Sequence, residues 1–249
     1  MKYLIVFASI LTCLAGHDLI AQGTTKEVYE MRVYELTMGS LGRMEDYLST
    51  ALIPALNRSG VKQVGVFREI GKDEPAKIYV LIPHASMSAY GAGLDALEKD
   101  AAYQTASQEY KKLERPVYFR FQTTLMRAFD GLPAMVVPSK GERIFELRTY
   151  EGFSEDAVAR KIKMFNEGEL EIFNEVKLNP VFFGEVISGD NLPCLQYMIT
   201  FRNMEERDNN WKAFSAHPDW GSMSKDPQYA NTVSKIIRVF LEPTAYSQI

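Results

Sequence analysis

The sequence predicts an α+β protein made of two ferredoxin-like βαββαβ halves packed as a pseudo-dimeric α/β barrel. Three observations predict it. First, Tyr29-Glu30-Met31-Arg32-Val33-Tyr34-Glu35 returns about half a chain later as Phe145-Glu146-Leu147-Arg148-Thr149-Tyr150-Glu151. Second, the return keeps its spacing, as a duplication does. Glu30, Arg32 and Tyr34 fall 116 residues before Glu146, Arg148 and Tyr150, and Met87, Leu97 and Tyr103 fall 117 before Met204, Phe214 and Trp220. Third, hydrophobic periodicity runs strand, helix, strand, strand, helix, strand in each half. Such a unit carries both helices on one sheet face, so the bare faces of the two halves should enclose a shared interior.

Each element follows from local chemistry. Residues 29–36 alternate strictly, with Tyr29, Met31 and Val33 on one face and Glu30, Arg32 and Tyr34 on the other, which is strand patterning. Leu41 to Arg58 repeats Leu41, Met44, Leu48, Leu52 and Leu56 at helical spacing, with Ser40 as the expected cap and Gly60 as the stop. Val64–Ile70 and Lys77–Pro83 flank Gly71-Lys72-Asp73-Glu74-Pro75 as a hairpin. Ser86 to Leu113 is helical in composition, interrupted at Gly91 and Gly93, and Val117–Phe129 is again a strand. The second half repeats this: strand 143–150, helix 154–176 with Ser154 at its start, strands 181–187 and 195–201, helix 204–223 and strand 233–241. The predicted domain limits are 27–130 and 142–246, with the Gly- and Pro-containing segment 131–141 as linker.

Composition narrows the function classes. A net charge of −4 without a clustered basic surface argues against nucleic acid. The densest basic runs, Lys111-Lys112 and Arg160-Lys161-x-Lys163, read as solvated helix faces, and so do Glu167, Glu169, Glu171 and Glu175. Lys2 followed by uncharged Tyr3–Ala15 reads as a signal peptide of residues 1–21, cleaved after Ala21 or earlier near Ala15 or Gly16. Thr12 before Cys13 disfavours a lipid anchor. Export to the periplasm or outside the cell is then expected, without a membrane span after leader removal and with Cys194 as the sole remaining, inert buried thiol.

Beyond the strand motif, the second half carries Trp211-x-x-Phe214-x-x-x-Pro218-x-Trp220 and closes on Leu241-Glu242-Pro243-Thr244-x-Tyr246-Ser247. With these motifs the chain resembles the NIPSNAP family of the dimeric α/β-barrel superfamily, over nearly all of the mature chain and more closely in the second half than in the first. The resemblance implies the barrel fold and no settled activity. Its wider relatives include small monooxygenases and haem-handling proteins.

Several chemistries have no motif here: no nucleophile elbow, phosphate loop, dinucleotide fingerprint or metal-ligand spacing, and no cofactor is evident. Arg32, Tyr34, Arg148, Tyr150 and Trp220 are the candidate ligand-binding residues, anchoring a small anionic or aromatic molecule inside the barrel if the apolar strand face packs under the helices. In the competing structural reading Glu30 and Glu146 simply neutralise the neighbouring arginines. His217, followed by Pro218-Asp219, is the candidate acid/base or haem ligand of a monooxygenase- or isomerase-like enzyme, whereas His84 reads as a loop histidine. A closed interior would leave a structural or protein-interaction role, and a homo-oligomer stays open.

Overall fold

A computed structural model describes residues 25–71, 74–112 and 114–249. The expected leader at 1–21 lies outside the described residues. The first half is β1 (Val28–Leu36), α1 (Leu41–Tyr47), a π-turn (Leu48–Leu52), α2 (Ile53–Arg58), β2 (Gly65–Glu69), β3 (Lys77–His84), α3 (Met87–Lys99), α4 (Ala101–Lys111) and β4 (Tyr118–Ala128). The second is β5 (Ile144–Glu151), α5 (Glu155–Met164), a π-turn (Phe165–Glu169), α6 (Leu170–Glu175), β6 (Pro180–Ser188), β7 (Cys194–Phe201), α7 (Met204–Ala216), α8 (Pro218–Met223) and β8 (Lys235–Pro243). Among the described residues no helix is long and apolar enough to cross a membrane.

All eight strands close into one antiparallel barrel in the order β1-β3-β2-β8-β5-β7-β6-β4. Each half supplies four neighbours, and two seams join them. One is the short β2–β8 pairing from Phe67↔Pro243 to Glu69↔Leu241, the other the β4–β6 pairing. Closure satisfies the backbone groups that sheet edges would leave unpaired.

One apolar cluster draws on strands of both halves, including Tyr29, Met31, Phe67, Leu81, Phe145, Leu147, Phe182, Met198 and Leu241. It fills the barrel interior. Rings from opposite halves meet there, Tyr29 with Phe182 at 5.0 Å and Phe67 with Phe145 at 4.8 Å between centroids, contacts worth about 0.5–1.5 kcal/mol each beyond burial. Packing leaves little slack, since a Cβ on Gly184 would lie 2.6 Å from Met126 Cβ.

The other strand face lies under the helices, and each half has its own cluster there. Tyr34 packs with Met44, Leu48, Leu52 and Leu56 of α1, its π-turn and α2. Tyr150 and Tyr197 pack with Phe165, Phe173, Phe214 and Trp211. The expected orientation is therefore inverted. Glu30, Arg32, Tyr34, Glu146, Arg148 and Tyr150 do not point into the barrel, and a ligand held in the interior by both arginines is not what this packing allows. The inward face must fill a closed tube, which large apolar side chains do, whereas buried guanidinium and carboxylate groups need partners that helices can bring to the outer face.

Local expectations are corrected at four places. Ser40 stands at the start of α1 but donates its hydroxyl to the Thr37 and Val117 carbonyls rather than capping the helix, whereas Ser154 accepts the Ala157 N–H. Helix α3 runs through Gly91 and Gly93, and the chain breaks instead at Asp100, which caps α4. His84 is not a loop residue but the buried last residue of β3. Lys161 and Glu169, read as solvated, are buried.

Candidate functional site

The outer face of β5 carries Glu146, Arg148 and Tyr150 toward α5, α7 and α8. Glu146 is fully enclosed and accepts four hydrogen bonds, from Arg148 Nη1 at 2.7 Å, Arg207 Nε at 2.8 Å, Arg207 Nη2 at 3.1 Å and Trp211 Nε1 at 3.0 Å. Burial acts to raise its pKa, but the bond from Arg207 and the field of Arg148 outweigh it and hold the carboxyl below the ordinary range. Arg148 Nη2 donates to the Tyr150 hydroxyl at 3.1 Å, Tyr197 donates to the same oxygen at 2.9 Å, and the Arg148 guanidinium lies 4.3 Å from the Trp211 ring centroid. Burial raises the Tyr150 and Tyr197 pKa values, so both phenols stay protonated.

Below them the π-turn in the first helix brings Glu169 onto Lys161. The Nζ–Oε2 distance is 2.6 Å and the side chains are 5% and 2% exposed. The ammonium also lies 4.5 Å from the Phe165 centroid and 5.3 Å from that of Trp220. The backbone leaves helical geometry at Gly168, where a Cβ would stand 2.5 Å from Met223 Cε of α8. Burial raises the Glu169 pKa despite the nearby Lys161 charge.

Arg148, Tyr150, Lys161, Glu169, Trp211 and Trp220 open onto one cavity of about 370 Å³ between sheet and helices. It is large enough for a small organic molecule. Its lining sets two cations, Arg148 and Lys161, against one carboxylate, Glu169. Arg148 Nε is buried without a hydrogen-bond partner.

The equivalent region of the first half holds Arg32 and Tyr34. Glu30 accepts from Arg32 Nε at 2.5 Å and Nη2 at 3.1 Å, and His84 Nε2 lies 3.4 Å from its second oxygen. Burial raises Tyr34 to a pKa of about 12. Here a cavity of about 380 Å³ is lined by Glu30, Arg32, Tyr90, Leu94, Tyr103 and Phe121, among others. The two arginines thus serve separate cavities. At the positions 117 residues before Lys161 and Glu169 stand Met44 and Leu52, both in the apolar cluster.

His217 does not line either cavity. It is the residue between α7 and α8, with Nε2 2.9 Å from Glu175 and Nδ1 accepting the Asp219 N–H at 3.3 Å. It therefore caps α8 and does not face the tyrosines or Lys161. Among the described residues no group of three His, Cys, Asp or Glu side chains is arranged to hold a metal ion. Cys194 is buried, which pushes its thiol up to about 11. A further cavity, of about 620 Å³, lies under the connector between the halves, and residues 136–143 of the connector supply half of its lining. It contains no buried ionisable side chain, so the smaller second-half cavity is the better chemical candidate.

Sequence reasoning missed Lys161 and Glu169. The signal was present: aligning the two halves places both at positions that the first half fills with Met44 and Leu52 of its apolar helical stripe. A charge where the sister helix has a core residue marks a buried charge.

The NIPSNAP family profile matches residues 29–121 and again 145–248. The chain belongs to the NIPSNAP family. Its two matches are the two halves of the barrel, so this is a tandem NIPSNAP protein. Among solved structures, a candidate monooxygenase from Lactobacillus acidophilus NCFM is similar over 88% of this chain and 94% of its own, with a TM-score of 0.59 at 9% identity. Another, from Fusobacterium nucleatum, covers 88% and 93% with a TM-score of 0.58 at 11% identity. An uncharacterised NIPSNAP-like domain protein from Burkholderia xenovorans covers 43% of this chain and 90% of its own, at 18% identity and a TM-score of 0.39. No curated protein matches the chain. The two longer likenesses establish a shared barrel architecture, in which one tandem chain supplies both halves.

Proposed function

We propose that the second-half cavity binds a small planar aromatic molecule carrying a carboxylate or similar anionic group. The observation that carries this reading is the buried Lys161–Glu169 pair. Desolvating two charges costs several kcal/mol per ion, and the first half completes the same helix and π-turn with Met44 and Leu52. The first half thus forms the same helix and π-turn without such a pair, and the place of the pair at the floor of an aromatic cavity suits it to binding. Trp211 and Trp220 supply flat walls, and Lys161 and Arg148 supply donors for an anion.

Trp211 and Trp220 are the only tryptophans in the chain, so intrinsic fluorescence reports this cavity. Titration with benzoate and hydroxybenzoates should quench it saturably, and the double variant K161M/E169L should lose the response while staying folded. Absence of quenching at millimolar concentrations, or quenching unchanged in the double variant, sinks the proposal.

Proton transfer on the bound molecule is a second reading, favoured by the raised pKa of Glu169 beside the Lys161 ammonium and the Tyr150–Tyr197 hydroxyl pair. We also infer that the protein acts outside the cytoplasm, which the leader-like composition of residues 1–21 supports. Measuring the N-terminal mass of the protein from its host tests this, and an N-terminus retained at Met1 overturns it.

A further inference from the structure

The same carboxylate is treated differently in the two halves, and the difference defines a second site. In the second half the place over Glu146 is filled by the chain's own guanidinium. Arg207 reaches from α7 to both carboxylate oxygens, at 2.8 and 3.1 Å, and Trp211 closes the shell from one turn further on. A carboxylate offers about four acceptor positions, and all are taken.

Counting back 117 residues, Arg207 becomes Tyr90 and Trp211 becomes Leu94. Neither bonds to Glu30, which keeps the two bonds from Arg32 and a long contact of 3.4 Å to His84 Nε2. What stands where the guanidinium and indole would be is the cavity of about 380 Å³. Glu30 and Arg32 sit at its sheet side, Tyr90, Tyr103 and Phe121 form aromatic walls, and Glu98 adds a second carboxylate. Two acids thus face one arginine, the reverse of the balance in the second-half cavity.

We propose that the first-half cavity binds a small organic cation, a guanidinium or ammonium group on an aromatic or aliphatic body, in the position that Arg207 occupies in the second half. The cation completes the shell of Glu30, and the aromatic walls offer it ring faces. Burial and then the charge of Glu30 raise the Tyr90 pKa, against the charge of Arg32. This site is separate from the anion site proposed for the second half and does not depend on it.

The test is calorimetric titration of the full chain with benzylguanidine, alongside tryptophan fluorescence. Saturable heat without quenching of Trp211 and Trp220 is expected, with affinity falling as salt rises. Tyr90→Arg should weaken binding at least about tenfold, because it restores the internal cation. Leu94→Trp, which narrows the cavity without adding charge, should also weaken it and serves if Tyr90→Arg misfolds. No heat from the unmodified chain, heat unchanged by both substitutions, or a binding curve fully mirrored by tryptophan quenching would each overturn the proposal. Failure of the second-half reading shows separately, as benzoate that does not quench while benzylguanidine still binds.

Discussion

The two halves share a sheet, a π-turn and a Glu-x-Arg-x-Tyr strand, yet they bury different chemistry beneath their helices. Under α1 the first half places Met44 and Leu52, where the second half, under α5, places Lys161 and Glu169. Over the strand glutamate the second half places Arg207 and Trp211, where the first has Tyr90, Leu94 and a cavity. Each half is therefore a control for the other. What both retain on the inward face, its aromatic and aliphatic residues, belongs to the fold, and the shared Glu–Arg pairs stand beside the cavity of each half. What only one retains is free to serve a ligand.

The sharpest way to break this comparison is Lys161→Met alone. It leaves Glu169 buried without its cation and should cost about 3–5 kcal/mol in urea unfolding, whereas the K161M/E169L pair, which copies the first half, should be neutral or stabilising. A double variant as unstable as the single one would mean that the second half does need the charges.

Next in size is the acid limb of stability. Glu30 and Glu146 have pKa values lowered in the folded state, so the unfolded chain takes up protons first on acidification. Their contribution is present above the ordinary carboxylate pKa and is lost as pH falls through the folded values. Glu169 is raised and acts oppositely, its contribution being greatest at low pH and lost as pH rises through its folded value. K161M/E169L should therefore gain stability more steeply with pH than the unmodified chain, read from urea midpoints between about pH 3 and 7. Parallel curves would show that Glu169 does not titrate as its burial requires.

Gly184→Ala probes what the halves hold in common. Its Cβ would press on Met126 Cβ in the barrel interior, and a loss of about 1–3 kcal/mol is expected. A silent substitution would mean that the interior has slack for a ligand after all. The smallest effect should come from His217→Ala. Losing the α8 cap and the Glu175 contact should cost about 1 kcal/mol or less, with aromatic carboxylate binding unchanged. A binding defect in this variant would return His217 to the site.

Much of the fold was legible because its signals are local. The duplicated strand, the stripe Met44, Leu48, Leu52 and Leu56, and the Gly60 stop each state their element without distant information. Gly91 and Gly93 misled because a glycine costs a helix only about 1 kcal/mol, and a side chain on Gly91 would meet nothing. The break at Asp100 depends instead on its side chain accepting the Tyr103 N–H and holding Arg58 of α2. The site was less legible. Lys161 lies in a basic run and Glu169 in an acidic one, and composition cannot distinguish the wet face of a helix from the face a π-turn presses against a sheet. Only registration with the first half would have exposed them.

By itself the sequence determined that each half carries a strand with two unlike faces and helices to cover one of them. The tertiary structure alone decided which face is covered. Period-two alternation separates Tyr29 and Met31 from Glu30 and Arg32, but it is silent about what either face meets. Closing eight strands demanded side chains that fill a dry tube from both halves, which Tyr29, Phe67, Phe145 and Phe182 do. The carboxylates and guanidiniums went outward, where Arg207, Trp211, His84 and a cavity could meet them.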